Sequence, residues 1–228
     1  MYTPGVRIII WICAIFYLLQ HLYYPLVSEI FGLAYIGHPN FNSLQLLTYT
    51  FLHGDAFHIF INMFMLAIFG PRIEQSVGIK NLFVLFVLSS IGGAIAQTMF
   101  TMISVYNMFG TMFPVAPLDF YEQVQFTLIH GRESLALFNR ITIGASAGVF
   151  GVMLAFTYMF PKQRLGLPLL NITLSARLIV IIYVVGEIYM AIYDPTPNIA
   201  HYAHIGGAIV GLLLALYWRK TISKKNNA

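Results

Sequence analysis

Charge is what this chain has least of. Asp, Glu, Lys and Arg together make up 9% of its 228 residues, whereas soluble globular proteins carry about 25%. That scarcity excludes an ordinary water-soluble domain. Cysteine occurs once, as Cys13, so no intrachain disulfide can form and the redox compartment is not legible. Cys13 lies in an apolar run and reads as a small buried hydrophobe. Internal repeats and low-complexity segments are absent. So is any extended basic stripe: the net charge of +4 comes from short clusters that flank apolar runs, a pattern of membrane proteins and not of nucleic-acid partners.

What the chain has instead is hydrophobic length. Hydrophobic residues reach 59% and the mean hydropathy is +0.78. Since a spanning helix needs roughly 20 residues, the chain suits one bundle of five to seven helices. The reading is an all-α membrane protein, a single domain over residues 1–228 with six transmembrane helices. They are expected at residues 6–24, 58–76, 81–104, 144–160, 174–193 and 201–218, followed by a short basic tail at 219–228. The first run is not a convincing signal peptide, because one Arg precedes it and no small-residue cleavage site follows. Pro161 stops the fourth span and Asp194-Pro195 the fifth.

Two connections are long. Residues 25–57 are largely apolar and contain no Lys or Arg, which suits a membrane-associated segment lying in the interface or dipping in against the bundle. Residues 105–143 carry Asp119, Glu122, Arg132, Glu133 and Arg140 and read as an exposed loop with a short helix from Glu122 to Leu137. The plainer alternative for both is a simple connector.

Six spans put both termini on one side. That side holds Arg7, Arg72, Lys80, Lys162, Arg164, Arg177, Arg219, Lys220, Lys224 and Lys225, and the other only Arg132 and Arg140. The positive-inside rule then makes both termini cytoplasmic. The second, fourth and sixth spans all begin on the outer side, and each carries polar residues in its first turns: His58 and Asn62, Ser146, and His204. At 1.5 Å per residue, all lie within about ten ångströms of the outer surface. The i,i+4 spacing places His58 and Asn62 on one helix face.

Those residue types are the parts of a hydrolytic site. A serine hydroxyl is a poor nucleophile until a base takes its proton, and histidine suits that task near neutral pH. A tetrahedral intermediate needs hydrogen-bond donors where its negative charge develops. Ser146 stands at a helix N-terminus, where free backbone N–H groups and the positive dipole end are available. The Asn62 amide and a ring N–H of His58 add donors. Gly144 and Gly148 let backbone approach closely. Gly207 and Gly211, four apart, let the sixth span pack tightly on a neighbour; if that neighbour is the fourth span, His204 reaches Ser146. Each feature alone has a bland reading: a packing serine, a packing glycine pair, an interfacial histidine. Four polar groups at one depth in lipid do not, because intramembrane polar groups are expensive.

Three blocks resemble the rhomboid intramembrane serine proteases. They are His53-Gly54-Asp55-Ala56-Phe57-His58-Ile59-Phe60-Ile61-Asn62-Met63, Gly144-Ala145-Ser146-Ala147-Gly148-Val149-Phe150-Gly151, and Ala203-His204-Ile205-Gly206-Gly207 with Gly211. They match in order, spacing and span position over roughly residues 44–215. The resemblance implies that Ser146 is the nucleophile and His204 the general base and acid. It places His58, Asn62 and the Ser146 backbone N–H around the oxyanion. It also implies that Phe150 packs against the catalytic histidine, and that His53 and Glu74 brace the second span and its flanking loop. Such a dyad needs no catalytic aspartate, so neither Asp55 nor Asp194 is expected to act as one. No metal or cofactor is implied. The partners implied are the lipid bilayer and single-span transmembrane substrates with a small residue before the scissile bond, reaching the site beside the fifth span.

The chain also departs from the family pattern. Gln45-Leu46-Leu47-Thr48 stands near where many rhomboids carry a Trp-Arg pair, which changes how the first loop is anchored. Ala147 follows the serine where glycine is frequent. The compact chain suits a bacterial plasma membrane, with the site open to the outer side. The alternative function is a rhomboid-fold protein that binds membrane clients without cutting them. A small transporter is disfavoured, because the spans lack paired intramembrane charges beyond Glu187 and no inverted repeat is evident; Glu187 reads as a bundle-facing structural group.

Overall fold

The computed structural model describes residues 3–114, 120–130, 136–167, 172–193 and 200–226. In chain order the helices are α1 (Pro4–Leu22), α2 (Leu26–Phe31), α3 (Gln45–Thr48), α4 (Ala56–Val77), α5 (Ile79–Phe109), α6 (Phe120–His130), α7 (Ser146–Met159), α8 (Ala176–Tyr193) and α9 (His201–Asn226). A 3₁₀ turn at Tyr49–Phe51 follows α3. Between α7 and α8 lie β1 (Arg164–Leu167) and β2 (Ile172–Ser175), paired antiparallel with Arg164 opposite Ser175. This ribbon is absent from the sequence reading; its alternating short segments are too brief to separate from a loop by periodicity.

Among the described residues, α1, α4, α5, α8 and α9 are long and apolar enough to cross a membrane. The expectation of six such spans meets a difference at α7, which has 14 residues. That is about 21 Å of helix at 1.5 Å per residue, against a hydrocarbon core of about 30 Å. Its surroundings account for the brevity. Ten of those 14 residues are buried, so α7 is wrapped by α4, α5 and α9 and meets protein, not lipid. By contrast α8 buries only Ala176, Val180 and Glu187 and turns most of its length outward. α5 runs to Phe109, beyond the expected end at 104, because no breaker intervenes before Gly110, which closes it with φ +69°.

Local chemistry sets the ends of α4. The Asp55 carboxylate accepts the His58 backbone N–H at 2.8 Å, a helix N-cap. Gly78, at φ +85°, separates α4 from α5 by a single residue. The Glu74 carboxylate, near the C-terminal end of α4, accepts from the Thr3 hydroxyl and from the backbone N–H groups of Gly5 (2.9 Å) and Val6 (3.0 Å). It therefore caps the first turn of α1, satisfying donors that a helix start leaves free. Glu74 thus ties α4, the expected second span, to the start of α1. Arg72 lies over the ring of Phe160, just past α7, and Arg219 over Tyr158 near the end of α7. The basic ends of α4, α7 and α9 therefore cluster together, and their starts share the opposite end.

Residues 25–55 are laced together internally by one buried glutamine. Gln45 Oε1 accepts from Ala34 N (3.2 Å) and Asn42 N (3.3 Å). Its Nε2 donates to the carbonyls of Glu29, Ile30 and Asn40 at 3.0–3.2 Å. Thr48 Oγ1 donates to the Phe31 carbonyl at 2.8 Å. Gln45 and Thr48 hold the loop by side-chain amide and hydroxyl where the family pattern has Trp-Arg. The segment before α7 is also anchored: Phe138 is buried against Tyr35, with Val105 alongside, and Leu33 and Thr142 exchange backbone hydrogen bonds at 2.9 and 2.8 Å. The expected helix from Glu122 to Leu137 corresponds to α6 up to His130; Asp119, Arg132 and Glu133, like Asp194, lie outside the described residues.

Candidate active site

Ser146 is the first residue of α7, and the turn before it is tightly specified. Gly144 sits at φ +133°, a conformation that L side chains rarely adopt. A Cβ there would also lie 2.9 Å from His58 Cε1 and Nε2. The Gly144 N–H donates to the Tyr49 carbonyl at 3.0 Å, and the Tyr49 hydroxyl donates to the Ser90 carbonyl at 2.7 Å. The serine turn is thereby fastened to the 3₁₀ segment and through it to α5.

His204 lies in the first turn of α9, and its Nε2 is 2.7 Å from Ser146 Oγ. Two features bring them together. Helices α7 and α9 touch backbone to backbone: a Cβ on Gly207 would fall 2.1 Å from the Ala147 carbonyl oxygen, and one on Gly211 would fall 2.2 Å from that of Gly151. Phe150, one turn after Ser146, stacks on the His204 ring at 4.6 Å and 10°. The ring is held from one face by Phe150, which stacks in turn on Tyr183 of α8 at 5.0 Å.

His58 faces the same spot from α4. Its Nδ1 accepts the Gly54 N–H at 3.3 Å, so the ring proton resides on Nε2. The Nε2 edge flanks Gly144, the residue whose missing Cβ would also lie 3.5 Å from Ser146 Oγ. Asn62 is buried and donates through Nδ2 to the His58 carbonyl at 2.9 Å, which leaves its amide a second hydrogen. His53 stands behind, its ring 5.1 Å from that of His58 and edge-on. Its backbone N–H donates to Gln20 Oε1 of α1 at 3.1 Å. Burial, and then the neighbouring His58, lowers the His53 pKa to about 3, so this ring stays neutral beside the site. Asp55 is occupied as the α4 cap.

Two further residues, Glu187 and His201, meet His204, although the sequence alone did not place them at the site. Glu187 of α8 is buried, and its Oε2 lies 2.8 Å from His204 Nδ1 and 2.5 Å from His201 Nδ1. The available signal was an acid inside a span, together with His201 and His204 at i,i+3 on one helix face. Glu187 is therefore not merely bundle-facing but touches the histidine that touches Ser146. These three residues also form a set of potential metal-ligand atoms, all within 4.8 Å of one another. Separations of 2.5 and 2.8 Å suit shared protons. Ligands each about 2.0–2.1 Å from a tetrahedral ion stand roughly 3.3 Å apart.

The family model described as Rhomboid domain matches residues 40–221. RHOMBOID-like protein 1 of Arabidopsis thaliana is 26% identical over 176 residues, covering 75% of this chain and 33% of that protein. Rhomboid protein 1, mitochondrial, of Saccharomyces cerevisiae (strain ATCC 204508 / S288c) is 21% identical over 195 residues, covering 81% of this chain and 44% of that protein. The chain thus spans between a third and a half of the length of these relatives. They are a plant and a yeast protein, so they lend no support to the expected bacterial membrane. The apolar helices make this an integral membrane protein, and the match over residues 40–221 settles its kinship: the chain belongs to the rhomboid family.

Proposed function

We propose that this chain is an intramembrane serine endopeptidase that cuts transmembrane proteins in or near their membrane span. The observation that carries the reading is the 2.7 Å contact between Ser146 Oγ and His204 Nε2, made at the end of the bundle where α4, α7 and α9 begin. In the proposed reaction His204 Nε2 takes the Ser146 proton as Oγ attacks the scissile carbonyl. The oxyanion receives hydrogen bonds from His58 Nε2–H, the free Asn62 amide hydrogen and the Ser146 backbone N–H. The imidazolium then protonates the leaving amine, and water releases the acyl group by the same steps in reverse order.

The test is reaction with a fluorophosphonate, which phosphonylates an activated serine. Wild-type protein should be labelled and Ser146→Ala should not. Labelling of both, or of neither, would overturn the assignment; client binding by an unlabelled wild type would favour the non-cleaving reading instead. The proposed orientation has both termini cytoplasmic and the site open to the outer side, on the strength of the basic residues gathered at one end. With Cys13 removed, a cysteine at 225 should react with an impermeant thiol reagent only from the cytoplasmic side, and one at 122 only from outside. Same-side labelling would contradict it.

A further inference from the structure

We infer that Glu187 is a positioning residue for this reaction: its carboxylate holds His204 with the ring proton on Nδ1 and the lone pair on Nε2 facing Ser146. The proposal rests on the serine-hydrolase reading above and extends it from two residues to a Ser146–His204–Glu187 triad on α7, α9 and α8.

The argument starts from donor and acceptor chemistry. A carboxylate can only accept hydrogen bonds, while a neutral imidazole has one donor and one acceptor nitrogen. Glu187 Oε2 at 2.8 Å therefore requires that His204 Nδ1 donate. The proton is then absent from Nε2, the nitrogen 2.7 Å from Ser146 Oγ, and the serine hydroxyl donates to it. The other tautomer would turn an N–H toward the serine and could accept nothing. His201 Nδ1 donates to the same oxygen at 2.5 Å, which pins the carboxylate in place from the first residue of α9.

When Ser146 gives up its proton, His204 becomes an imidazolium. A negative charge one hydrogen bond away then stabilises it, the more so in a buried site. The proton moves from Oγ to Nε2 and no further; Glu187 stays ionised throughout. Placement argues against mere packing. An ionisable group inside a span is costly, and a helix-to-helix contact here would be served at less cost by an apolar side chain. Yet the acid is one of only three buried residues on α8, and its oxygen meets both histidines of the α9 start.

Glu187→Gln tests this, because it keeps side-chain size but replaces an acceptor-only anion with a neutral amide whose NH₂ can face Nδ1. With ¹⁵N-labelled histidine and His204 assigned by its loss in His204→Ala, the neutral wild-type ring should show a protonated Nδ1 and a bare Nε2. In Glu187→Gln the opposite tautomer should gain population. Fluorophosphonate labelling and kcat for a transmembrane substrate should then fall by the order of 10²–10⁴, as when a soluble triad loses its carboxylate, with KM unchanged. A wild-type ring protonated on Nε2 would overturn the proposal without recourse to any variant. So would a Glu187→Gln protein with the same tautomer and labelling within about threefold of wild type. A wild type that resists the probe yet shows the Nδ1–H tautomer, lost in Glu187→Gln, would fault the hydrolase reading and not the hold of Glu187 on His204.

Discussion

Ser146→Ala and His204→Ala should each reduce cleavage of a transmembrane substrate by at least about 10⁴-fold, and the double variant should be no worse than either single one. The reason is geometric. A single hydrogen bond of 2.7 Å joins the two groups, and neither is a nucleophile or a base for this reaction without the other. His58→Ala combined with Asn62→Ala should cost less, on the order of 10²–10³, because the backbone N–H at the start of α7 still faces the oxyanion. Both results are read as turnover of purified, folded protein in detergent or bilayer. Substantial turnover by Ser146→Ala, or a wild-type rate from the His58 and Asn62 double change, would remove those residues from the roles proposed for them.

Gly211→Ala should be nearly as damaging to activity as a change in the site itself, although Gly211 lies two turns from His204. Its added Cβ would fall 2.2 Å from the Gly151 carbonyl oxygen and 2.4 Å from Gly151 Cα. Those are backbone atoms of α7 and cannot rotate away. Restoring ordinary contact requires the helices to separate by about 1 Å. That shift acts on the Ser146–His204 distance, where a displacement of about 1 Å can cost 10²-fold in rate. Over-packing also destabilises the fold by about 1–3 kcal/mol, so the melting temperature should fall together with turnover. Gly186→Ala is the internal control. It sits on α8 with nothing within 4 Å of its would-be Cβ, and alanine there should leave stability unchanged or slightly raised. A Gly211→Ala protein with wild-type turnover would show that the α7–α9 contact does not set the dyad geometry.

The contrast between these two glycines illustrates what a sequence can convey. Gly207 and Gly211 four apart in an apolar run announce close packing, and Ser146, His204, His58 and Asn62 at the starts of their helices announce a shared depth. Both signals are local, so they survive in one dimension. Helix positions were legible for the same reason, within a few residues: long apolar runs and the breakers Pro161 and Asp194-Pro195 bound them. The short α7 was harder to judge, because its apolar composition is the same whether lipid or protein surrounds it. Likewise Glu74 could be read as a polar brace, but not that its partner is the first turn of α1, a segment about 70 residues earlier in the chain.

By itself the sequence determined the membrane class, the helical bundle and the shared placement of Ser146, His204, His58 and Asn62 at the starts of their helices. Periodicity, composition and the cost of polar groups in lipid are properties of the chain that need no partner to express them. Only the tertiary structure decided that Tyr49 fastens the first loop to Ser90, that Gly144 must have no side chain because His58 fills the space, and that Glu187 reaches His204. Each of these depends on which residue of one element lands within about 3 Å of another, and hydrogen bonds of that range are set by packing across helices distant in sequence.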